Sequence, residues 1–210
     1  MQHSGIDFVA TCMDATGNIK LSQTLQQHGM SHVVQYWLDG YNQQTLNNSA
    51  TAMAGAYFLL QQTPFEVTQT NPGRYPGIDH FNAALKKYAP SGTLPSTPAL
   101  AGWVSADLFV TGLRSLGRDV TRSGLVAALN RLTSYTADGA MAPVNWTKSH
   151  TWAATGSTGL NCSTFVQARG TKFVFVFGTS PSVYSCFSSS AVSGHTLLQL
   201  DPLPAGVPGS

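Results

Sequence analysis

The chain has 210 residues, enough for one large domain or two small ones, and only 10% of its side chains are charged, against about 25% in a typical soluble domain. Ser and Thr, 21 and 22 in number, make up the difference. The net charge of +2, with no basic run longer than two residues, argues against a nucleic-acid surface. The sequence also lacks the apolar run of about 18 residues that a transmembrane helix needs.

The first sixty residues alternate between strands and helices. From apolar patterns and turn residues we predict strands at 7–13, 31–38 and 56–60, a helix at 18–28 and a short helical turn ending near 48. No charged and apolar segment of the signal-peptide type precedes the first strand, so we expect the chain to lack its natural beginning. The order of the elements is typical of a parallel α/β sheet.

The middle of the chain is predicted to be helical. Apolar residues recur at helical spacing over 78–88, after a predicted loop at 68–76, and Thr121 can cap a helix whose inward stripe ends at Leu132. Between these helices, 99–116 is apolar on nearly all sides, which predicts a helix covered by neighbours. Because successive helices cannot complete a parallel sheet, we expect the middle to pack on elements that the two ends do not supply.

The carboxyl-terminal quarter contains two of the three cysteines. Cys162 and Cys186 flank two predicted strands, 163–168 and 172–177, and they lie in polar, turn-rich segments. We expect a disulfide between them, with two separate buried thiols as the alternative. The final residues, 201–210, are rich in Pro and Gly and predict a tail or extended arm.

No catalytic or metal-binding motif stands out. The patterns of nucleophile elbows, zinc peptidases, phosphate-binding loops and dinucleotide-binding loops are absent. His28 and His32 do not share a helical face, because a glycine between them ends the helix. Ser105 and Asp107 lie within a predicted helix and are expected to bond to the backbone or to neighbours, and Cys12 is expected to be buried rather than reactive. We therefore expect no enzyme, no metal and no cofactor.

Acidic and aromatic residues follow the first two predicted strands. Met13 and Asp14 follow the first strand, and Asp39 and Tyr41 follow the second. Ligands of parallel α/β sheets bind outside the carboxyl ends of the strands, so both loops are predicted to face one ligand. Asp39 and Asp14 would accept its hydrogen bonds, while Tyr41 and Met13 would supply apolar or stacking surface. The alternatives are that Asp39 forms a simple turn with Gly40 and that Asp14 only caps the next helix.

Several segments together resemble a known family. In chain order they are 5–9, 25–30, 33–40, 54–57, 81–88, 103–116, 121–132 and 142–146. The last of them, Ala-Pro-Val-Asn-Trp, is similar to the family's Gly-Pro-x-x-Phe/Trp stretch. Over residues 5 to about 178 the chain resembles the second half of the branched-chain amino acid and amide type of extracellular solute-binding protein.

The resemblance implies a type I periplasmic-binding fold, in which two α/β lobes with parallel sheets and flanking helices are joined by three crossover segments. Residues 1–63 would belong to the second lobe, 64–140 to the helices of the first, 141–200 to the second lobe again with a β-hairpin, and 201–210 to the tail. The first half of the fold and the signal region are expected to lie outside this chain. The family's acidic residue that binds the ligand's ammonium matches Asp39, whereas its aromatic residue near Met13 and Asp14 is missing.

The resemblance also implies a function. The chain would belong to a solute-binding protein that captures a small polar ligand, such as an amino acid or amide, and passes it to an ABC transporter permease without covalent chemistry. Its location would be periplasmic or extracellular, either free or lipid-anchored. Two alternatives stay open: a ligand-sensing domain of the same fold that signals to a partner, and an enzyme of unidentified type.

Overall fold

The computed structural model describes residues 4–149, 161–177, 182–192 and 195–201, and these contain seven strands and seven helices. The strands are β1 (Phe8–Thr11), β2 (Val34–Trp37), β3 (Tyr57–Leu60), β4 (Asn161–Arg169), β5 (Lys172–Phe177), β6 (Ser185–Val192) and β7 (His195–Asp201). The helices are α1 (Ala15–Gln27), α2 (Gln43–Met53), α3 (Val67–Thr70), α4 (Pro76–Tyr88), α5 (Thr97–Leu116), α6 (Arg122–Leu129) and α7 (Trp146–Ser149). The predicted tail lies outside the described residues, apart from Asp201, which ends β7.

The strands form one mixed sheet in the order β1-β2-β3-β4-β6-β7, with β5 paired to β4. β1, β2 and β3 are parallel, which confirms the α/β class predicted from the first sixty residues. β4 then runs antiparallel to β3 and pairs with β5 as the predicted hairpin. The antiparallel pair β6 and β7 extends the sheet beyond what the sequence predicted.

Short polar side chains begin four of the helices. An oxygen of each accepts a hydrogen bond from a backbone N–H in the first turn, which satisfies a group that has no partner within the helix. These residues are Asp14 at α1, Asn42 at α2, Ser96 at α5 and Thr121 at α6. The cap at Thr121 was predicted, whereas the full length of α2 and the short helix α3 were not.

The face of the sheet that packs against α1 and α2 forms a closed core. Trp37 and Phe58 from neighbouring strands are 0% and 1% exposed, and their rings meet edge to face at 5.4 Å. Leu46 and Met53 of α2 are equally buried there. A second cluster forms between α4, α5 and the carboxyl-terminal strands, with Ile78, Phe81, Leu100, Tyr135 and Tyr184 among its members. Phe65 packs against both clusters and so connects them.

The prediction that neighbours cover α5 is wrong for the described residues. Of its 20 residues only Leu100 and Gly112 are buried, while Phe109 and Val110 are 51% and 39% exposed. α6 covers one side of the helix, and it approaches so closely that a Cβ on Gly112 would lie 2.6 Å from Leu125. Another side, with Leu100 and Trp103, packs on the second cluster, and the described part of the chain leaves the side with Phe109 and Val110 open.

The structure confirms the predicted disulfide, but the prediction that Cys12 is buried is wrong. Cys162 and Cys186 are paired residues on β4 and β6 and form the predicted disulfide, with the two Sγ atoms 2.06 Å apart. Cys12, predicted to be buried, is exposed. It directly follows β1, which is the edge strand of the sheet, and no strand of the described ranges pairs with the outer side of β1.

The described ranges contain neither a candidate membrane span nor a candidate metal cluster. None of their helices combines the length and apolarity that a bilayer span requires. No group of three His, Cys, Asp or Glu side chains in these ranges is placed to hold a metal ion.

Candidate functional site

Asn18 of α1 ties together the loops that follow β1 and β2. Its Nδ2 donates to the backbone oxygens of Met13 at 3.0 Å and Asp39 at 3.1 Å, and its Oδ1 accepts the hydroxyl of Thr11 at 2.5 Å. The Asn18 side chain is fully buried, so water does not compete for these bonds. The two loops therefore lie beside each other at one edge of the sheet.

Gly40 fixes the shape of the turn that carries Asp39. Its φ of 124° lies in a region that side chains disfavour, and a Cβ there would sit 3.1 Å from Phe58 and 3.2 Å from Trp37. The Gly40 N–H donates to Oδ1 of Asp39 at 2.7 Å, as in the simple turn that was the alternative for this residue. The carboxylate is nevertheless exposed, and Oδ2 makes no bond to the described part of the chain, so it can accept one from a ligand.

A cavity of about 570 Å³, here called the cleft cavity, opens beside Asp39. The ends of β2 and β3 form one wall, while α5 and the segment 135–146 form the other. Its polar lining includes Asp39, Gln61, Gln62, Thr97, Ser105 and Tyr135. Its apolar lining includes Leu38, Leu60, Val104, Leu108, Met141 and Trp146. The volume and this mixture of lining suit a small molecule with a polar head and an apolar body.

Two chain segments run side by side at the base of the cleft cavity. Thr63 N–H donates to the oxygen of Ala140 at 3.0 Å, and Ala142 N–H donates to the oxygen of Gln61 at 3.1 Å. The Thr63 hydroxyl donates to the oxygen of Gly139 and accepts the hydroxyl of Tyr184. Because burial raises the pKa of Tyr184, its phenol stays protonated and remains a donor. Three separate parts of the chain thus meet at Thr63.

The polar groups on α5 are engaged within the protein, as predicted. Ser105 donates to the oxygen of Ala101 at 2.8 Å, and Asp107 accepts the hydroxyl of Tyr135 at 2.8 Å. Burial, followed by the hydrogen bond to Asp107, raises the pKa of Tyr135. The ring of Tyr135 is therefore held against the cavity wall, with its phenol neutral.

Tyr41 joins the turn after β2 to the far side of the cleft cavity. Its hydroxyl donates to Oε2 of Glu66 at 2.5 Å and accepts the N–H of Phe65 at 2.9 Å, and its backbone oxygen accepts the hydroxyl of Thr97 at 2.9 Å. Its ring stacks on Phe65 with centroids 5.5 Å apart. Burial, and then the neighbouring Glu66 carboxylate, raises the pKa of the Tyr41 phenol. Tyr41 offers a ligand its ring, since its hydroxyl is already bonded.

Two of the four predicted site residues line the cleft cavity, and two do not. Asp39 and Tyr41 line the cleft cavity. Asp14 accepts the Gly17 N–H at 2.7 Å and caps α1, and Met13 is partly exposed; neither lines this cavity, and their roles in ligand binding stay predictions.

The sequence analysis missed several residues that line the cleft cavity. Gln61 and Gln62 directly follow β3, so the rule that identified Asp39 would have found them as well. Trp146 belongs to a segment that was singled out for its resemblance to a family motif. Thr97 carries no signal in the sequence, because only the folding of α5 brings it to the cavity.

The carboxyl ends of the parallel strands open onto a cleft, and helices lie on its far side. This arrangement is typical of α/β proteins that bind ligands. The model of the periplasmic binding protein family matches residues 1–172. The chain belongs to this family, and the resemblance drawn from the sequence is confirmed. A search among curated proteins gave no match.

Solved structures share the fold. A possible leucine/isoleucine/valine-binding protein from Rhodopirellula baltica SH 1 is 16% identical, with a TM-score of 0.63 over 81% of this chain and 42% of that one. A branched chain amino acid ABC transporter protein from Thermus thermophilus with bound valine is 16% identical, with a TM-score of 0.62 over 85% and 48%. A leucine binding protein from Thermotoga maritima MSB8 is 12% identical, with a TM-score of 0.57 over 83% and 45%. The type I periplasmic-binding fold is thus confirmed, and the chain spans less than half the length of each of these structures.

Proposed function

We propose that the chain is the ligand-binding part of a solute-binding protein that carries a small amino acid or amide to an ABC transporter permease. The observation that carries this proposal is the exposed carboxylate of Asp39 at the mouth of a cavity lined by amides, hydroxyls and aliphatic side chains. The family and the printed names of the structural relatives support it. The matching location is periplasmic or extracellular, either free or lipid-anchored.

The cleft cavity supplies complementary groups for such a ligand. Oδ2 of Asp39 would accept a hydrogen bond from an ammonium or amide N–H, and this charge-assisted bond would fix the ligand's orientation. Gln61, Gln62 and Thr97 would bond to its other polar atoms, while Leu60 would contact its apolar body. Binding of this kind needs no covalent step.

Lobe closure would accompany binding. In this proposal residues 1–63 and 141–200 belong to one lobe and 64–140 to the other. The paired segments around Thr63 and Ala140 support a hinge, because they connect the sheet to the α4 and α5 region and bond to each other. The hydrogen bond from the Thr97 hydroxyl to the Tyr41 backbone oxygen already joins the two lobes, and we expect it to be kept on closure.

Calorimetric titration with valine, leucine and acetamide tests the proposal on the 210-residue chain. We expect at least one of these ligands to bind, and Asp39→Asn to weaken its binding by about 10- to 100-fold, because the variant loses a hydrogen bond to a charged group. Asp119→Asn is the matched control, since Asp119 is exposed in the turn between α5 and α6 and does not line the cavity. Equal affinities in the two variants would contradict the role of Asp39, and no binding of any of the three ligands would contradict the function.

A further inference from the structure

A second cavity, of about 690 Å³, shares Tyr41 with the cleft cavity. We call it the Glu66 cavity, and its lining includes Tyr41, Phe65, Glu66, Asn82, Lys86 and Phe173. These residues come from the turn after β2, the segment before α3, the helix α4 and the strand β5. Nothing in the proposed solute-binding function uses this cavity.

The Glu66 cavity contains a carboxylate without a cation. Glu66 is the single glutamate of the chain, and its Oε2 accepts the Tyr41 hydroxyl, which is a neutral donor. No basic side chain of the described residues lies within ion-pair distance of it. Burial raises the pKa of this carboxyl, while the hydrogen bond from Tyr41 acts in the opposite direction. A bound cation would compensate the charge of the carboxylate.

Aromatic rings form the wall beside this carboxylate. Tyr41 and Phe65 stack with an interplanar angle of 11°, and Phe173 meets Tyr41 edge to face at 4.7 Å. Because Tyr41 and Phe81 both stack on Phe65, the rings together form an apolar wall that can bury the alkyl part of an organic cation. Aromatic rings next to an uncompensated carboxylate are therefore the chemistry that recognises an ammonium ion with an apolar body.

Asn82 adds an independent observation. Its Oδ1 is buried and has no hydrogen-bond partner in the described structure, whereas buried polar atoms are nearly always bonded. An N–H group of a ligand would satisfy it. A quaternary ammonium has no N–H to donate, so this oxygen selects for a primary ammonium.

We infer that the Glu66 cavity is a second binding site, specific for a small primary alkylammonium ion. The carboxylate of Glu66 and Oδ1 of Asn82 accept the ammonium N–H groups, and the alkyl chain lies against Phe65 and Phe173. Lys86 is exposed and lines the same cavity, and its side chain disfavours a dication more strongly than a monocation. The site is distinct from the cleft cavity, since Asp39 does not line it and Tyr41 is the one lining residue that the two cavities share.

Titration of the 210-residue chain with n-butylammonium chloride, followed by calorimetry at constant ionic strength, tests this inference. We expect n-butylammonium to bind and tetramethylammonium to bind at least several-fold more weakly. Glu66→Gln keeps the side-chain size and an acceptor for Tyr41 but removes the charge, and we expect about a tenfold loss of affinity. Asn82→Leu should lose several-fold, and Asp39→Asn should bind n-butylammonium as the wild type does.

Urea unfolding of each variant provides the control for folding, and Asn82→Leu serves as the test if Glu66→Gln does not fold. The inference is overturned if n-butylammonium does not bind to the wild type, if tetramethylammonium binds equally well, or if Glu66→Gln retains full affinity. A loss of affinity confined to Asp39→Asn would also overturn it, because the amine would then occupy the cleft cavity. That last result would leave the proposed solute-binding function intact.

Discussion

The covered face of the sheet and the outer side of α5 are both rich in apolar side chains, yet only the first is closed. Phe58 on the sheet is 1% exposed, whereas Phe109 on α5 is 51% exposed. The difference teaches that an apolar pattern identifies a surface that favours burial, while tertiary neighbours decide whether burial occurs. α1 and α2 supply those neighbours for the sheet, but the described residues cover only part of α5, through α6 and the second cluster.

The opposite face of β1 and β2 resembles α5 in this respect. Phe8 and Val34 are paired neighbours on these strands and are 53% and 43% exposed. In the structural relatives the matched part makes up less than half of the chain. In the proposed two-lobed protein, we expect elements that this chain does not contain to cover both surfaces.

Phe58→Ala should have the largest effect and tests the closed region directly. The variant removes a fully buried ring that contacts Trp37, so we expect a loss of about 3–5 kcal/mol in the free energy of unfolding. Phe109→Ala makes the same chemical change on the open side of α5 and should cost less than about 1 kcal/mol. Urea unfolding of the two variants measures the difference, and equal losses would show that α5 is covered in solution.

Removal of the disulfide should have an intermediate effect and probes the cluster that includes α5. Cys162 and Cys186 are 24 residues apart and buried in that cluster, so Cys162→Ser with Cys186→Ser should cost about 3 kcal/mol, mainly by freeing the unfolded chain. Denaturant unfolding of the double variant tests this. Cys12→Ser, at an exposed thiol, is the control. A double variant as stable as this control would mean that the cluster does not depend on the cross-link.

Glu66 follows Phe65, which packs against both hydrophobic clusters, and its pH dependence should be the smallest effect. Because burial raises the pKa of this carboxyl above 4.5, the folded state holds the proton more tightly, and stability is lost as the pH rises through the folded pKa. The neighbouring phenol of Tyr41 stays neutral over this range, because burial raises its pKa. Glu66→Gln should therefore be more stable than the wild type near neutral pH, with the gap closing in acid. Unfolding curves at several pH values measure this gap, and a gap that does not change with pH would contradict the assignment.

Much of the fold could be predicted because it depends on local patterns. Apolar runs bounded by turn residues placed β1, β2 and β3, and the cap at Thr121 placed α6. The full length of α2 and all of α3 were not predicted, because their sequences are polar and show no clear helical pattern of apolar residues. These helices depend on packing against the rest of the fold. The exposure of α5 could not be predicted, since helical periodicity describes one helix and says nothing about which neighbours are present.

The candidate sites also contain a part that local sequence patterns could predict and a part that they could not. Asp39 was found because it follows a strand, a relation that is local in sequence. The Glu66 cavity was missed because its residues come from four separated segments that only the fold brings together. Glu66 itself gave a weak signal as the single glutamate of the chain, but no neighbouring residue in the sequence pointed to its surroundings.

The network around Asn18 has a consequence for how such a binding protein can diversify. Asn18 holds the two loops through the backbone oxygens of Met13 and Asp39, so the framework does not depend on those two side chains. Substitutions at these positions would change the shape and charge of the rim while the loop backbone stays in place. Substitutions at this edge of the sheet can thus change which ligands bind while the backbone that carries the binding residues is kept.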